Sequence, residues 1–189
     1  TIFESTKLPL TIWFQGIYLI TQDKKGISAM KLRRHLGISY NAAWRMKHKL
    51  MQVMLERGQG LKLSGFVELD DAYLGGERTG CKPGRGAVGK TPFVAAVETT
   101  IEGHPTRVKL SVVKGFRSAE IFSWCRQHLA EGCTVISDGL ACFNAVTDAG
   151  CEHDKIVCGG RRSSVEEPEF YWVNTILGNL KSSLRSTYH

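Results

Sequence analysis

Four side chains in this sequence have the types and spacing that phosphoryl-transfer chemistry uses. Asp70 closes the apolar run Gly65-Phe66-Val67-Glu68-Leu69, and Asp138 closes the run Cys133-Thr134-Val135-Ile136-Ser137. A strand that finishes in Asp and is followed by a turn presents its carboxylate at the C-terminal edge of a sheet, where sites in α/β folds are usually built. Downstream, Trp172, Ile176, Leu180 and Leu184 recur at four-residue spacing, with Val173 and Leu177 alongside, so the last stretch reads as an amphipathic helix packed on a core. Asn174 and Lys181 are seven residues apart on it, which at 3.6 residues per turn returns them to nearly one azimuth. Two strand-end carboxylates and a polar group on a late helix form a ligand set suited to a pair of Mg²⁺ ions in phosphoryl transfer.

The words VELDDAYLGG (67–76), GRGAVGKTPFVAAVE (84–98), VISDGL (135–140) and VNTILGNLKSSLRSTYH (173–189) carry a resemblance. In that order they resemble the RNase H-like catalytic domain of bacterial insertion-sequence transposases. The branch is the one of the DDE superfamily in which Asn replaces the third acidic residue and a Lys follows it. The resemblance implies Asp70, Asp138 and Asn174 as catalytic, metal-binding residues and Lys181 as the downstream basic partner. It implies Mg²⁺ or Mn²⁺ as cofactor, transposon ends and target duplex as DNA substrates, and a homo-oligomer on DNA. It also selects Asp70 over Asp71. Asn is neutral, so its oxygen is a weaker Mg²⁺ ligand than a Glu carboxylate. Glu166, Glu167 and Glu169 are rivals for the third ligand, but Pro168 and the clustered polarity read as a loop; Asn179 is a weaker rival, two residues from Lys181.

The elements that must position these groups follow from pattern. In the strand from Gly65, alternation puts Phe66, Glu68 and Asp70 on one face and Val67, Leu69 and Asp71 on the other, with Glu68 a supporting carboxylate on Asp70's side. Phe93–Thr100 and Thr106–Val113 read as two further strands, Ala119–Ala130 as a helix capped by Ser118, Leu140–Val146 as another helix and Cys151–Val157 as a fifth strand. His128 falls on the buried side of its helix and reads as packing. The expected fold class is α/β: an RNase H-like mixed sheet with flanking helices over 61–189, preceded by a small helical domain over 1–60.

That first region is helical and basic. Trp13, Ile17 and Ile20 line one face of a first helix, with Pro9 near its start. Ile27–Leu36, the turn Gly37-Ile38-Ser39 and a helix from Tyr40 with Ser39 as N-cap make a helix-turn-helix pattern. Positions 24–49 hold eight Lys or Arg and no Asp or Glu. Lys31, Arg33, Arg34 and Lys47 suit phosphate contacts, and Asn41 and Arg45 suit base edges.

Gly84–Thr91 matches the P-loop pattern G-x-x-x-x-G-K-[ST] letter for letter. A P-loop needs a helix directly after it, whereas Pro92 and Phe93–Thr100 read as strand. The preferred reading is a basic hairpin whose Arg78, Lys82, Arg85 and Lys90 touch DNA backbone; Arg161 and Arg162 form a second basic loop.

The chain of 189 residues carries a net charge of +7 and a sequence pI of 9.2, which favour a polyanionic partner. Six cysteines without a C-x-x-C pair, and no signal-peptide pattern, point to a reduced, cytoplasmic chain rather than a disulfide framework, and the resemblance implies a place at the bacterial nucleoid. Cys151, His153 and Cys158 lack the fourth ligand and spacing of a zinc site. No run reaches the length of a membrane span. The function that the resemblance implies is a transposase that binds element ends and catalyses metal-dependent cleavage and strand transfer. The alternatives are a DNA-binding regulator, a P-loop nucleotide hydrolase, or an inactive remnant, the last because the chain opens on Thr1 and stops at His189, inside or just after the catalytic helix.

Overall fold

A computed structural model describes residues 2–75, 89–156 and 168–187. The chain divides into two compact units, Thr1–Leu61 with Gly178–His189, and Lys62–Leu177.

The first unit holds α1 (Leu10–Gln22), α2 (Ala29–Leu36) and α3 (Tyr40–Gln59). Ser28 and Ser39 begin α2 and α3 in the manner expected of N-caps, their hydroxyl oxygens accepting the N–H groups of Lys31 and Ala42. Gly37 stops α2 in a left-handed conformation, φ 64°, and its N–H returns to the Arg33 carbonyl. Trp13, Ile27, Leu32, Leu36, Ala43, Met46 and Leu50 close over one another as the core. Gly16 allows the approach of α1 to α3: a Cβ there would lie 2.5 Å from Met46 Sδ. Beyond Leu50, α3 continues in exposed residues as far as Gln59.

The second unit is built on a five-stranded sheet of order β3-β2-β1-β4-β5, with β1 Phe66–Leu74, β2 Thr91–Thr99, β3 Pro105–Val112, β4 Thr134–Ser137 and β5 Glu152–Lys155. β1, β2 and β3 run antiparallel in series, and β4 and β5 add in parallel. This is the mixed sheet expected of an RNase H-like domain. The strand at Thr91 stands where a P-loop would require a helix.

On one face, Val67, Leu69, Val94, Ala96 and Val135 meet Ile121, Trp124 and Cys125 of α4 (Ser118–His128), together with Phe143 and Val146. α4 starts at Ser118 itself, with Arg117 in the cap position and no side-chain cap, so the expected Ser118 cap is displaced by one residue. The stretch after Asp138 is tighter than a continuous helix, a 3-10 turn at Ala141–Asn144 followed by the short α5 (Ala145–Asp148). Phe143 N–H bonds the Leu140 carbonyl at 2.8 Å, which winds the turn and sends Phe143 into the core. The Glu68 side of β1 is bound to α6 (Tyr171–Thr187), whose Val173 N–H donates to Glu68 Oε2 at 2.7 Å.

Two outcomes are expected of this packing. Glu68→Ala strands backbone N–H groups at the start of α6 and is expected to lower unfolding free energy by about 1–3 kcal/mol in urea titration, while Glu68→Gln keeps an acceptor oxygen and loses less. The second concerns pH. Burial, with Lys109 and Lys62 nearby, holds His128 below the ordinary imidazole range, and burial and Lys155 do the same for His153. The unfolded chain therefore takes up these protons first: stability is complete above about pH 6.5 and falls as pH drops below it toward the lowered folded-state values. Urea midpoints should fall between about pH 7.5 and pH 5.5. The fall should shrink in the His128→Gln/His153→Gln double variant, and an unchanged slope would assign the titration to other groups.

Candidate metal and DNA-processing site

The site follows from where β4 stops. β1 and β4 pair in parallel only as far as Leu69 opposite Ser137, so the next residue on each strand is Asp70 and Asp138. β1 does not end there: its antiparallel pairing with β2 continues through Asp70 opposite Ala95 to Leu74 opposite Thr91. Asp70 thus lies within a strand, one step past the last β4 neighbour, where the sequence pattern had suggested a strand end. Asp138 begins the turn. Its Oδ1 accepts the Leu140 N–H at 3.1 Å, and Gly139 takes φ 76°, which a side chain rarely adopts.

The carboxylates of Asp70, Asp71 and Asp138 each offer an oxygen within 4.8 Å of the others, and all three residues are half-buried. Two oxygens on one Mg²⁺ ion are at most about 4.2 Å apart, twice a bond of ~2.1 Å. A set within 4.8 Å is thus of the right size for one ion after slight closure, or for a bridged pair. The donor chemistry fits as well, since hard carboxylate oxygens suit Mg²⁺ and Mn²⁺. Asp71 is the member that sequence reasoning set aside. Alternation assigns it to the opposite face of β1, yet beyond Leu69 the strand has lost its β4 neighbour, and successive carboxylates reach one point. The Asp70-Asp71 doublet was the available signal. Asp70 Oδ1 itself accepts the Asp71 N–H at 2.8 Å.

Neighbours hold these strands in place. Ser137, fully buried, shares a 2.8 Å hydrogen bond between its Oγ and His153 Nε2 on β5, and the Gly139 N–H reaches the same Oγ at 3.4 Å. The last residue of β4 is thereby tied to β5 and to the turn that carries Asp138. Glu68, two residues before Asp70, is buried and receives Val173 N–H. Burial pushes its carboxyl above the ordinary range, against the opposing pull of the Val173 and Trp172 backbone groups.

Asn174 follows Val173 directly and is half-buried. Its helix is therefore fastened to the strand that bears Asp70. Asn179 lies further along α6, also half-buried. Among the acidic rivals, Glu169 is exposed in a 3-10 turn, Pro168–Phe170, and lines a groove with Phe66 and His104 near the start of β1; Glu166 and Glu167 lie outside the described residues. Lys181 is exposed, in the part of α6 that groups with the helical unit.

Of the residues assigned to DNA, Lys31, Arg33, Arg34, Asn41 and Arg45 are exposed, and Lys47 and Lys90 are half-buried. Arg78, Lys82, Arg85, Arg161 and Arg162 lie outside the described residues, as does Cys158. Cys151 belongs to the core, its Sγ 3.3 Å from Cys133 Sγ, and burial pushes the Cys133 thiol up to about 12.

The profile of the ISXO2-like transposase domain matches residues 62–189, more than half of the chain. Comparison with curated proteins gave no match. The matched segment contains the whole mixed sheet, the three clustered aspartates and α6. With sheet order, acidic cluster and profile in agreement, the chain belongs to the ISXO2-like transposase family, insertion-sequence transposases of the DDE superfamily with an RNase H-like catalytic domain.

Proposed function

We propose that this chain binds the ends of a bacterial insertion sequence and catalyses metal-dependent DNA cleavage and strand transfer, with Asp70, Asp138 and Asn174 holding divalent ions. The observation that carries the reading is the meeting of Asp70 and Asp138 at the β1–β4 edge, in a chain whose α6 is joined to β1 beside them. Bound Mg²⁺ or Mn²⁺ would supply the activation of water or a 3′-hydroxyl and the stabilisation of the leaving 3′-oxygen. The protein's own part is positional. Asp70 and Asp138 fix two carboxylates on rigid backbone, and Asn174 adds a neutral oxygen from the helix, so the third position brings no further negative charge against the scissile phosphate. Asp71 stands near enough to assist.

Lys181 shares the azimuth of Asn174 on α6 and is proposed to hold a DNA phosphate as a point charge without base preference. The helix pair α2–α3 is proposed as a helix-turn-helix that docks the element end, its lysines and arginines on phosphates and Asn41 and Arg45 on bases. Arg78, Lys82, Arg85, Lys90, Arg161 and Arg162 would follow the backbone near the scissile bond. Two DNA ends must be brought together for strand transfer, so the working form is proposed to be a homo-oligomer on DNA.

Nicking of a labelled element-end duplex or a supercoiled plasmid tests this. Wild type should nick in Mg²⁺ or Mn²⁺ and stop on addition of EDTA. Asp70→Ala and Asp138→Ala should each fall to about one hundredth of that rate or less, a loss of ~2.7 kcal/mol of transition-state stabilisation. Asn174→Ala should need about tenfold more Mg²⁺ for half-maximal rate. DNA binding with no nicking by any of these proteins would favour a binding module over a transferase.

A further inference from the structure

α3 buries one face and presents the other to solvent. Ala43, Met46 and Leu50 enter the core, and at 100° per residue the opposite side carries Asn41, Trp44, Arg45 and His48, all exposed. Three large side chains gather here rather than singly: Trp44 is 46% exposed, Tyr40 45%, and Met30 at the start of α2 42%. Clustered exposed apolar surface marks an interaction site more often than scattered residues do.

The cluster is also braced. The His48 ring stacks on Trp44 with centroids 3.9 Å apart and 28° between planes, and its Nδ1 lies 2.8 Å from the Trp44 carbonyl oxygen. A carbonyl can only accept, so Nδ1 carries the proton in that bond, and Nε2 is the acceptor nitrogen of the neutral ring. The indole is thus oriented before any partner arrives, which lowers the ordering cost of binding. With Lys47, these side chains line a groove of about 470 Å³ between α2 and α3.

Charge decides what fits. Residues 24–49 carry eight Lys or Arg and no acid, so the surroundings of the groove match a polyanion. The major groove of B-DNA admits an α-helix, and the apolar group that duplex DNA displays there is the thymine C5-methyl.

We propose that Trp44, braced by His48 and flanked by Tyr40 and Met30, is a specificity-determining residue that receives a thymine methyl group in the major groove of the element end. This rests on the end-binding reading above and assigns it a base. Phosphate contacts from Lys31, Arg33 and Arg34 set register and salt dependence, and Trp44 adds a thymine preference beside the base contacts of Asn41 and Arg45.

The test begins by selecting duplexes that bind the full chain from a random-sequence pool. Affinity is then measured by fluorescence anisotropy for the selected duplex and for versions in which each thymine is replaced by deoxyuridine, which deletes the methyl group alone. At one or two positions, wild type should lose about three- to tenfold in affinity on replacement. Trp44→Ala should bind thymine and deoxyuridine duplexes equally while keeping salt-dependent affinity, and His48→Ala should reduce the discrimination partway. The deoxyuridine series on wild type needs no variant to fold. Discrimination at no position, or discrimination kept in Trp44→Ala, would overturn the assignment and leave end binding intact. A wild type that binds no duplex at low salt would overturn both.

Discussion

A single buried carboxylate joins the two parts of the candidate site. Glu68 on β1 accepts the backbone N–H of Val173, 105 residues later, at 2.7 Å. Burying a carboxylate is costly, and the cost shows in its raised pKa, with desolvation as the largest cause. What offsets it is local: backbone N–H groups at the start of a helix are unsatisfied by the helix itself and aligned with the positive end of its dipole. The interaction therefore solves two problems at once, supplying partners to the first turn of α6 and to a carboxylate that the sheet has taken out of water. Asn174 comes next in the chain after Val173, and Asp70 lies two residues after Glu68.

The other constraint is the shortness of β4. Four residues pair with β1, and the pairing ends where Ser137 is tied to His153 and the chain turns at Gly139. Had β4 continued, Asp138 would have entered the sheet. Because it stops, the carboxylate of Asp138 in the turn comes close to that of Asp70 on the neighbouring strand, and Asp71 comes within range of both. Three carboxylate oxygens gathered this closely form a hard donor set of the kind that suits a divalent cation.

Much of this was legible in the sequence, and the physical reasons differ by element. The first and third strands announced themselves by alternation and the second and fourth by short apolar runs, and Ser28, Ser39 and Gly37 show how helix ends follow from hydroxyl acceptors and a residue tolerant of positive φ. The order of motifs pointed to the family that the profile over 62–189 shows. What was not legible depended on pairing between distant strands. Asp70 looked like a strand end because its apolar run stops there, yet β2 carries β1 on to Leu74. The proximity of Asp71 contradicts simple alternation because alternation knows nothing of a neighbour that has ended. The Ser137–His153 bond and the attachment of Val173 to Glu68 join residues that no local window contains.

In the function proposed here, Asp70, Asp138 and Asn174 together hold the divalent ions. Iron-directed cleavage tests this without reliance on DNA turnover: Fe²⁺ placed in a Mg²⁺ site reduces added hydrogen peroxide to hydroxide and a hydroxyl radical that cuts the nearby backbone, and ascorbate returns the Fe³⁺ to Fe²⁺. Cuts are expected in three segments, around Asp70 on β1, around Asp138 after β4 and around Asn174 on α6, all suppressed by excess Mg²⁺ and lost in Asp138→Ala. Cuts confined to β1 and β4, with α6 untouched, would contradict the three-residue site and leave the acidic pair alone as the metal ligands.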